Sequence, residues 1–192
     1  MKMLLIRHGE CLKGIKDPSL TQRGKVQAEK LAKKLSTLPI TKAYVSDLTR
    51  AFESFESYLA VNPSITYEKT EQVREIYRLI IGGPEKEGAS QDREKKDKAR
   101  ADIFFDHITN SNLKGNVIIV THGNLIRYFL SKAMKMDPKK AFDGLIVNCG
   151  SISVIEIKRG QTAVKSMNNV DHLGPKEVEQ FYAEETDENY LS

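Results

Sequence analysis

The sequence predicts an α/β fold in which helices pack on a largely parallel sheet. Along the 192 residues, apolar segments of strand character alternate with segments whose apolar residues repeat at helical spacing. Two of the strand-like segments, 4–6 and 117–120, run into a histidine that is followed by a glycine. Because 40% of the residues are hydrophobic, and domains commonly run about 100 to 200 residues, a single globular domain is expected.

The first half of the chain contains clear signals for helix starts and ends. Thr21 is predicted to cap a first helix that stops before Pro39. Residues 42–46 are predicted to form the second strand. Asp47 is then the expected cap of the next helix, which ends at Asn62-Pro63 because proline cannot continue it.

The middle of the chain is less regular. Extended pieces are expected at 65–67 and 72–77, before Gly82-Gly83-Pro84 breaks the chain. Residues 85–100 are almost entirely charged or small, which indicates either a mobile loop or the exposed start of a helix. A charge run is usually a solvated face, and a lid over a functional site is the alternative.

In the second half, the strand that ends at His122 precedes a helix with Leu125 and Phe129 on its apolar face. Further strands are predicted at residues 145–147, 151–157 and 162–166. Residues 175–192 are expected to be an acidic tail with a short amphipathic helix from Pro175. A frayed terminus is one interpretation of this tail, and a cover over a cationic pocket is the other.

Composition excludes several functional classes. The net charge of +4 is a mild excess, and basic and acidic residues are mixed, so no nucleic acid partner is expected. No segment approaches the ~18 apolar residues of a membrane span, and the start does not have the pattern of a signal peptide. Two cysteines are too few for a disulfide scaffold. The simplest interpretation is a cytoplasmic protein without a membrane partner.

Three basic side chains are expected to converge at one edge of the sheet. Ligands of α/β sheets bind beyond the carboxyl ends of parallel strands, which is where Arg7, His8 and His122 fall. A helix that starts just beyond His122 adds backbone N–H groups and a positive dipole end. Arg50, near the start of the second helix, adds a planar fork of donors. The combination predicts a cationic pocket for an anion.

Such a pocket suits a phosphoryl group, whose transfer depends mainly on positioning and charge stabilisation. A neutral histidine can attack phosphorus and form a covalent intermediate, and His8 is the candidate nucleophile. The leaving alkoxide needs a proton, which a carboxylic acid can supply. Glu75, on the extended piece 72–77, is the candidate proton donor, although Glu71 lies nearby in the sequence.

A set of short motifs lies between residues 7 and 123: Arg7-His8-Gly9-Glu10, Leu20-Thr21-Gln22-Arg23-Gly24, Gln27-Ala28, Ser46-Asp47-Leu48-Thr49-Arg50-Ala51, Val73-Arg74-Glu75-Ile76 and Thr121-His122-Gly123. Together and in this order they resemble the histidine phosphatase superfamily, the phosphoglycerate mutase-like group. The resemblance implies a three-layer α/β/α sandwich with a mostly parallel central sheet, formed by residues 1–174 as one histidine phosphatase domain.

The resemblance also assigns roles to the converging residues. It implies a phosphohistidine intermediate on His8, with Glu75 as proton donor and His122 as a further catalytic residue. Arg7, Arg50 and His122 would bind the substrate phosphate. No metal and no cofactor are implied, so the expected activity is that of a metal-independent phosphomonoesterase.

Departures from the family pattern favour hydrolysis over isomerisation. Mutase members usually carry an asparagine a few residues beyond the nucleophile, where this chain has Lys13-Gly14-Ile15, and a longer insertion between the acid and the second histidine. These two departures bear on the type of reaction. A third bears on the substrate: the stretch after the acid, 77–82, replaces the usual one that contains glycine and tryptophan, so the substrate does not follow from any subgroup. Phosphoglycerate mutase-type transfer, a non-catalytic module that binds phosphorylated ligands, and a metallohydrolase are the alternatives.

The substrate stays open between a small-molecule phosphomonoester and a phosphoprotein. Glu10 either orders its loop or contacts substrate. Cys11 lies close to the nucleophile in the sequence, where a cationic pocket could make it a redox switch, and a small filler residue is the alternative. The oligomeric state does not follow from the sequence.

Overall fold

The computed structural model describes residues 1–84 and 91–178 and contains one six-stranded sheet with helices. The elements in chain order are β1 (Lys2–Arg7), α1 (Gln22–Leu35), β2 (Ile40–Ser46), α2 (Thr49–Val61), β3 (Tyr67–Thr70), α3 (Gln91–Thr109), β4 (Asn116–Thr121), α4 (Gly123–Met134), α5 (Ala141–Gly144), β5 (Ile152–Lys158) and β6 (Gln161–Asn169).

The sheet has the strand order β3-β2-β4-β1-β5-β6. β1 pairs with β4, β4 with β2, and β2 with β3 in parallel. β5 and β6 extend the sheet in antiparallel pairing. β1 and β4 therefore lie side by side in the centre and run in the same direction, which brings their carboxyl ends to the same edge.

Side chains of the central strands point alternately into two separate cores. Leu5 of β1 lies in the core that contains Phe104 of α3 and Phe129 of α4. Its neighbour Ile6 lies in the opposite core, with Phe55 of α2. Strands that are buried on both faces need continuous apolar sequence, as the chain supplies in β1 and β4. The expected three-layer α/β/α sandwich with a mostly parallel sheet is confirmed.

Of the two predicted helix caps, one is correct. The Thr21 side chain accepts a hydrogen bond from the Gly24 N–H at 3.0 Å and so caps α1. The prediction that Asp47 caps α2 is wrong, because the cap position falls on Leu48, whose side chain makes no capping hydrogen bond. The Asp47 carboxylate instead accepts hydrogen bonds from Arg74 at 2.8 and 2.6 Å.

Three predicted extended pieces differ from the structure. The edge strand β3 begins at Tyr67 instead of ending there. The piece predicted at 72–77 begins within a 3₁₀ turn, Glu71–Val73, and ends just before another, Arg78–Ile81. Residues 145–147 form no strand. Two of their carbonyl oxygens accept hydrogen bonds from arginine side chains, as described below, instead of from a neighbouring strand.

The charged segment is helical where the structure describes it, because residues 91–100 form the first half of α3. Of the two interpretations, the exposed helix start is therefore correct for those residues, while 85–90 lie outside the described residues. In the tail, residues 175–177 form a turn, and the Lys30 ammonium lies 2.9 Å from the Glu177 carboxylate. The rest of the expected terminal helix, from 179 onward, also falls outside the described residues. Among the described helices, none has the length and apolar character of a membrane span.

Candidate active site

Two histidines meet at the carboxyl ends of the central strands. Arg7 at the end of β1 is paired in register with Thr121 at the end of β4, so the following residues, His8 and His122, are neighbours. Their rings lie 5.1 Å apart between centroids, at an interplanar angle of 63°. Both side chains are buried. The sheet therefore brings together the two histidines that the sequence separates by more than a hundred residues.

The glycines after these histidines allow neighbouring groups to pack closely against the backbone. Neither Gly9 nor Gly123 adopts a positive φ. A methyl group on Gly9 would lie 2.6 Å from the carbonyl oxygen of Gly24, in the first turn of α1. A methyl group on Gly123 would lie 3.3 Å from the guanidinium of Arg127 and 3.5 Å from that of Arg7. Glycine is needed at these positions because other groups come close to the backbone.

The hydrogen bonds of His8 define the state of its ring. Nδ1 lies 2.7 Å from the carbonyl oxygen of Gly9, which can only accept, so Nδ1 carries the proton. Nε2 accepts a hydrogen bond from the Nε–H of Arg50 at 3.3 Å. The tautomer inferred from these two contacts leaves the lone pair on Nε2. This nitrogen is the one available for nucleophilic attack.

Electrostatics keep the His8 ring neutral. Burial, the Arg50 guanidinium and the Arg7 guanidinium, in decreasing order, hold the pKa of His8 well below its usual value, against a smaller opposing effect of the Gly9 hydrogen bond. A protonated ring would have no lone pair to offer. Burial and the surrounding positive charge thus favour the neutral form of the ring, which keeps a lone pair.

His122 lies at the cap position of α4. Its Nε2 is 2.9 Å from the hydroxyl of Ser46, which ends β2. Burial and the positive charge of Arg50 lower the pKa of His122 well below its usual value. Its Nδ1 is buried and makes no hydrogen bond with any group in the described part of the chain. A polar nitrogen at the start of α4 is therefore available to a ligand.

Arg50 enters the site from the second position of α2, with 2% of its side chain exposed. The start of this helix is capped by Asp17, a loop residue that precedes α1. Its carboxylate accepts hydrogen bonds from the Thr49 N–H at 2.9 and 3.2 Å and from the Thr49 hydroxyl at 2.6 Å. The same carboxylate lies 3.7 Å from Nη1 of Arg50. Asp17 thereby supplies the cap that Leu48 cannot.

Arg7 is tied to the C-terminal part of the chain. Its Nη1 donates to the carbonyl oxygen of Val147 at 2.6 Å. Next to it, the Gly150 N–H lies 3.1 Å from the carbonyl oxygens of both Arg7 and His8. The segment between α5 and β5 therefore closes one side of the site and orients the Arg7 guanidinium.

Arg127 is a further arginine beside the site that the sequence reasoning did not identify. It is buried, and its Nε donates to the Leu145 carbonyl oxygen at 2.8 Å. Gly123 lies between its guanidinium and that of Arg7, as described above. The available signal was its spacing, since Arg127 follows Gly123 by four residues and thus lies on the same face of α4.

Glu75 lies at the N-terminus of α4, next to His122. Its carboxylate accepts hydrogen bonds from the backbone N–H groups of Asn124 at 3.1 Å and Leu125 at 3.0 Å, which are donors without an intrahelical partner. It also accepts one from the Ile76 N–H at 3.0 Å. These contacts fix the carboxylate on the helix that carries His122. The side chain of Glu71, the other glutamate considered as proton donor, is 72% exposed.

A cavity of about 140 Å³ adjoins both Arg50 and Glu75. Its remaining lining residues come from α3, the 71–75 segment and the start of α2: Leu48, Glu71, Arg74, Arg93, Asp97 and Arg100. The cavity has the volume of a small organic group. Because it adjoins both the Arg50 guanidinium and the Glu75 carboxylate, it has room for a small group in contact with both side chains.

Two residues close to His8 in the sequence have structural contacts. The Glu10 carboxylate accepts hydrogen bonds from the Thr21 hydroxyl at 2.6 Å and from Nε of Arg23 at 2.9 Å. Of the two roles considered for Glu10, these contacts favour ordering of the loop. Cys11 is buried in a small cluster with Leu20 and Ala28, which favours the filler role. In residues 1–84 and 91–178, no group of three metal-ligating side chains occurs.

Several known proteins are similar to this chain over most of its length. A probable phosphatase of Schizosaccharomyces pombe is 26% identical over 212 residues, which cover 95% of this chain and 100% of the relative. The mitochondrial serine/threonine-protein phosphatase Pgam5 of Drosophila persimilis is 31% identical over 89% of this chain. The chain spans 65% of the length of that Pgam5 relative.

Among solved structures, phosphoserine phosphatase from Entamoeba histolytica in complex with phosphoserine has a TM-score of 0.67 and 22% identity. The match covers 90% of this chain and 98% of the other, so the shared fold extends over most of this chain and nearly all of the other. The phosphoserine phosphatase of that organism has also been solved with 3-phosphoglyceric acid.

The family assignment agrees with the motifs and with the fold. The family model described as histidine phosphatase superfamily, branch 1, matches residues 3–170. The matched range includes all five converging residues, from Arg7 to His122. This chain belongs to the histidine phosphatase superfamily.

Proposed function

We propose that this protein is a phosphatase that hydrolyses phosphomonoesters through a phosphohistidine on His8. The observation that carries the proposal is the state of the His8 ring: Nδ1 is bound to the Gly9 carbonyl oxygen, and the Nε2 lone pair faces Arg50. A buried, neutral nucleophile surrounded by guanidinium groups suits attack on a dianionic phosphoryl group.

In the first step, Nε2 of His8 attacks phosphorus, and the bond between phosphorus and the ester oxygen breaks. Arg7 and Arg50 donate hydrogen bonds to the phosphoryl oxygens, and Nδ1 of His122 adds a further donor. Glu75, in its carboxylic acid form, gives its proton to the departing oxygen, so the alcohol leaves neutral. The products of this step are phosphorylated His8 and the Glu75 carboxylate.

In the second step, water attacks the phosphorus of phosphohistidine. The bond to Nε2 breaks, and its electron pair returns to the ring. The Glu75 carboxylate takes a proton from the attacking water, which restores both catalytic groups and releases inorganic phosphate. Glu75 therefore acts first as acid and then as base, because the alcohol that leaves in the first step needs a proton and the water that enters in the second step must lose one.

We propose that the reaction needs no metal ion. Arg7 and Arg50 supply the positive charge that a metal ion would otherwise supply to a phosphoryl group, and their N–H groups together with the His122 ring supply the donors. The substrate is a small phosphomonoester or a phosphoprotein side chain, since the adjoining cavity has room for a small leaving group. We also propose a cytoplasmic location, which is in keeping with two buried cysteine thiols.

The decisive experiment is a phosphate-release assay on a panel of phosphomonoesters, with phosphoglycerate isomerisation followed in parallel. The panel contains phosphoserine, a phosphoserine peptide, a sugar phosphate, a nucleoside monophosphate and 3-phosphoglycerate. We expect release of inorganic phosphate, unchanged by a chelator. Isomerisation without phosphate release would contradict hydrolysis, and loss of activity on chelation would contradict metal independence.

The nucleophile is tested by trapping the intermediate. His8→Ala should abolish both phosphate release and the acid-labile phosphoenzyme formed from ³²P-labelled substrate. His107→Ala is the matched control, because His107 lies exposed on α3. A phosphoenzyme that persists in His8→Ala would refute the assignment.

A further inference from the structure

The segment that carries Glu75 is held in place by a side chain from α3. Residues 71–77 contain one short 3₁₀ turn and otherwise irregular backbone. The guanidinium of Arg100 donates to four of the carbonyl oxygens of this segment: those of Glu71 at 3.1 Å, Gln72 at 3.0 Å, Arg74 at 3.0 Å and Glu75 at 3.0 Å. An irregular segment thus receives from one side chain the hydrogen bonds that a neighbouring strand would give.

Asp97, one turn earlier on α3, completes this contact. Its Oδ1 accepts a hydrogen bond from Nη2 of Arg100 at 2.9 Å, and its Oδ2 accepts one from the Tyr77 N–H at 3.0 Å. The pair therefore binds the backbone on both sides of Glu75. Both side chains are largely buried, with 21% and 15% exposed, so their contacts are less screened by solvent than those of a surface ion pair.

The pair lies beside the site. Arg100 and Asp97 line the same cavity as Arg50 and Glu75. The Glu75 carboxylate is bound to α4 through the N–H groups of Asn124 and Leu125, whereas its backbone is bound to α3 through Arg100. The position of the carboxylate relative to a leaving group consequently depends on both helices.

We propose that Arg100 and Asp97 form a positioning pair that sets where Glu75 delivers its proton to the leaving group. This inference rests on the proposed phosphatase function and on Glu75 as its acid. Neither residue touches the reacting atoms in this proposal. Their effect is exerted through the backbone of residues 71–77, and a displacement of about 1 Å at a reacting group can cost about 10²-fold in rate.

Leaving groups of different basicity separate positioning of an acid from general damage. An alkyl phosphate, such as phosphoserine or β-glycerophosphate, releases a basic alkoxide that needs the proton. p-Nitrophenyl phosphate releases a phenolate that is stable without it. A variant that displaces only the acid therefore loses activity on the alkyl phosphate and keeps it on the aryl phosphate, whereas a variant with a damaged fold or phosphate pocket loses both.

The variants are Arg100→Gln, Arg100→Lys and Asp97→Asn, compared with Glu75→Gln. Lys96→Gln is the matched control, because it removes a cation from an exposed position one turn earlier on α3. Thermal unfolding is recorded for each variant. Arg100→Lys and Asp97→Asn retain part of the hydrogen bonding, so the comparison stands even if Arg100→Gln does not fold.

We expect Arg100→Gln and Asp97→Asn to lower kcat/KM for the alkyl phosphate by about 10- to 100-fold, within the range of about 10² to 10⁴ that a general acid contributes. The loss on p-nitrophenyl phosphate should be less than about threefold, which is small beside the contribution of an acid. Glu75→Gln should show the same pattern with a larger ratio, Arg100→Lys should recover part of the activity, and Lys96→Gln should match the wild type.

Equal losses on both substrates, or no loss on either, would overturn the positioning role. Leaving-group discrimination by Glu75→Gln without any discrimination by the Arg100 and Asp97 variants would overturn this inference and leave the proposed function intact. If Glu75→Gln itself does not discriminate, Glu75 is not the acid and the inference falls with it. A wild-type protein that hydrolyses neither ester would overturn the proposed function.

Discussion

The Nε–H group of Arg50 is directed at Nε2 of His8, 3.3 Å away, while Nδ1 of the same ring is bound to the Gly9 carbonyl oxygen. The guanidinium therefore orients the lone pair that the proposed mechanism uses. When a phosphoryl group enters, the same guanidinium can donate to a phosphoryl oxygen, and the lone pair is then directed at phosphorus. In the proposed mechanism, the Arg50 side chain thus serves both the nucleophile and the phosphate.

This double role predicts that charge alone cannot replace Arg50. Arg50→Lys keeps a cation but removes the planar fork and the Nε–H, so kcat should fall by about 10²-fold, the scale of losing one preorganised donor. Steady-state hydrolysis of p-nitrophenyl phosphate measures the effect. Arg159→Lys is the control, since Arg159 is exposed in the turn between β5 and β6. An activity of Arg50→Lys close to that of the wild type would contradict the role of the guanidinium geometry.

The two buried histidines predict that stability falls in acid. Burial and Arg50 hold the pKa values of His8 and His122 well below their usual value of about 6.5. Below that pH the unfolded chain binds protons that the folded chain does not. The free energy of unfolding should therefore decrease as the pH falls, with a slope approaching about 1.4 kcal/mol per pH unit for each histidine.

Urea unfolding between about pH 7.5 and about pH 5.5 measures this slope across the usual histidine pKa. The variant His8→Gln/His122→Gln should have a flatter dependence, because its glutamines do not titrate. His107→Gln, on the exposed face of α3, should keep the slope of the wild type. A double variant with the full slope of the wild type would show that other groups cause the acid sensitivity.

Asp17 should matter for both stability and phosphate binding. Asp17→Ala removes the acceptor for the Thr49 N–H and hydroxyl at the start of α2, and helix caps contribute about 1 kcal/mol. Because Arg50 is the next residue of that helix, KM should rise together with the loss of stability. Denaturant unfolding and steady-state kinetics measure the two effects.

Lys16→Ala is the control for Asp17, since it alters the neighbouring exposed residue of the same loop. Asp17→Asn, which keeps an acceptor oxygen, should recover part of the stability. Unchanged unfolding of Asp17→Ala would mean that water caps α2 equally well.

At Gly24, substitution by alanine should have the opposite effect on stability from the one usual inside a helix. Glycine to alanine inside a helix normally stabilises by about 1 kcal/mol. A methyl group on Gly24, however, would overlap the carbonyl oxygen of Glu10 in the loop after His8. Gly24→Ala should therefore destabilise the protein by about 1 to 3 kcal/mol, the scale of overpacking.

Gly144→Ala is the matched control, because a methyl group there would meet no atom within 4 Å in the described structure. Denaturant unfolding compares the two variants, and hydrolysis of p-nitrophenyl phosphate reports whether the His8 loop has moved. A Gly24→Ala protein as stable as the wild type would show that the loop yields to the methyl group.

The sequence predicts the layers of the fold because the signals are local. Consecutive apolar residues such as Leu5 and Ile6 already imply a strand that is buried on both faces. Thr21, placed just before a segment of helical periodicity, implies the cap of α1. The convergence of His8 and His122 follows from two strands that end at the same edge. Residue type and position in the sequence already suggest Arg50 and Glu75 for the same site, the motif resemblance assigns their roles, and the structure brings both to it.

The structure differs from the sequence-based predictions where a residue distant in the sequence binds a side chain or carbonyl group that was expected to have a local partner. Asp47 has the right position to cap α2, but a bidentate contact with Arg74 takes its carboxylate, and Asp17 takes its place from another loop. Residues 145–147 have the composition of a strand, yet two of their carbonyl oxygens bind Arg7 and Arg127. No window of sequence contains both partners of these contacts, so propensity alone could not predict them.

The contact of Gly150 with the carbonyl oxygens of Arg7 and His8 has a consequence for biosynthesis. His8 leaves the ribosome before the segment that closes its side of the site, which is made more than a hundred residues later. β1 also needs β4 and β5 as neighbours in the sheet. The nascent chain therefore carries His8 without its surrounding site until residue 150 and β5 have emerged, so the geometry around this ring is completed only late in synthesis.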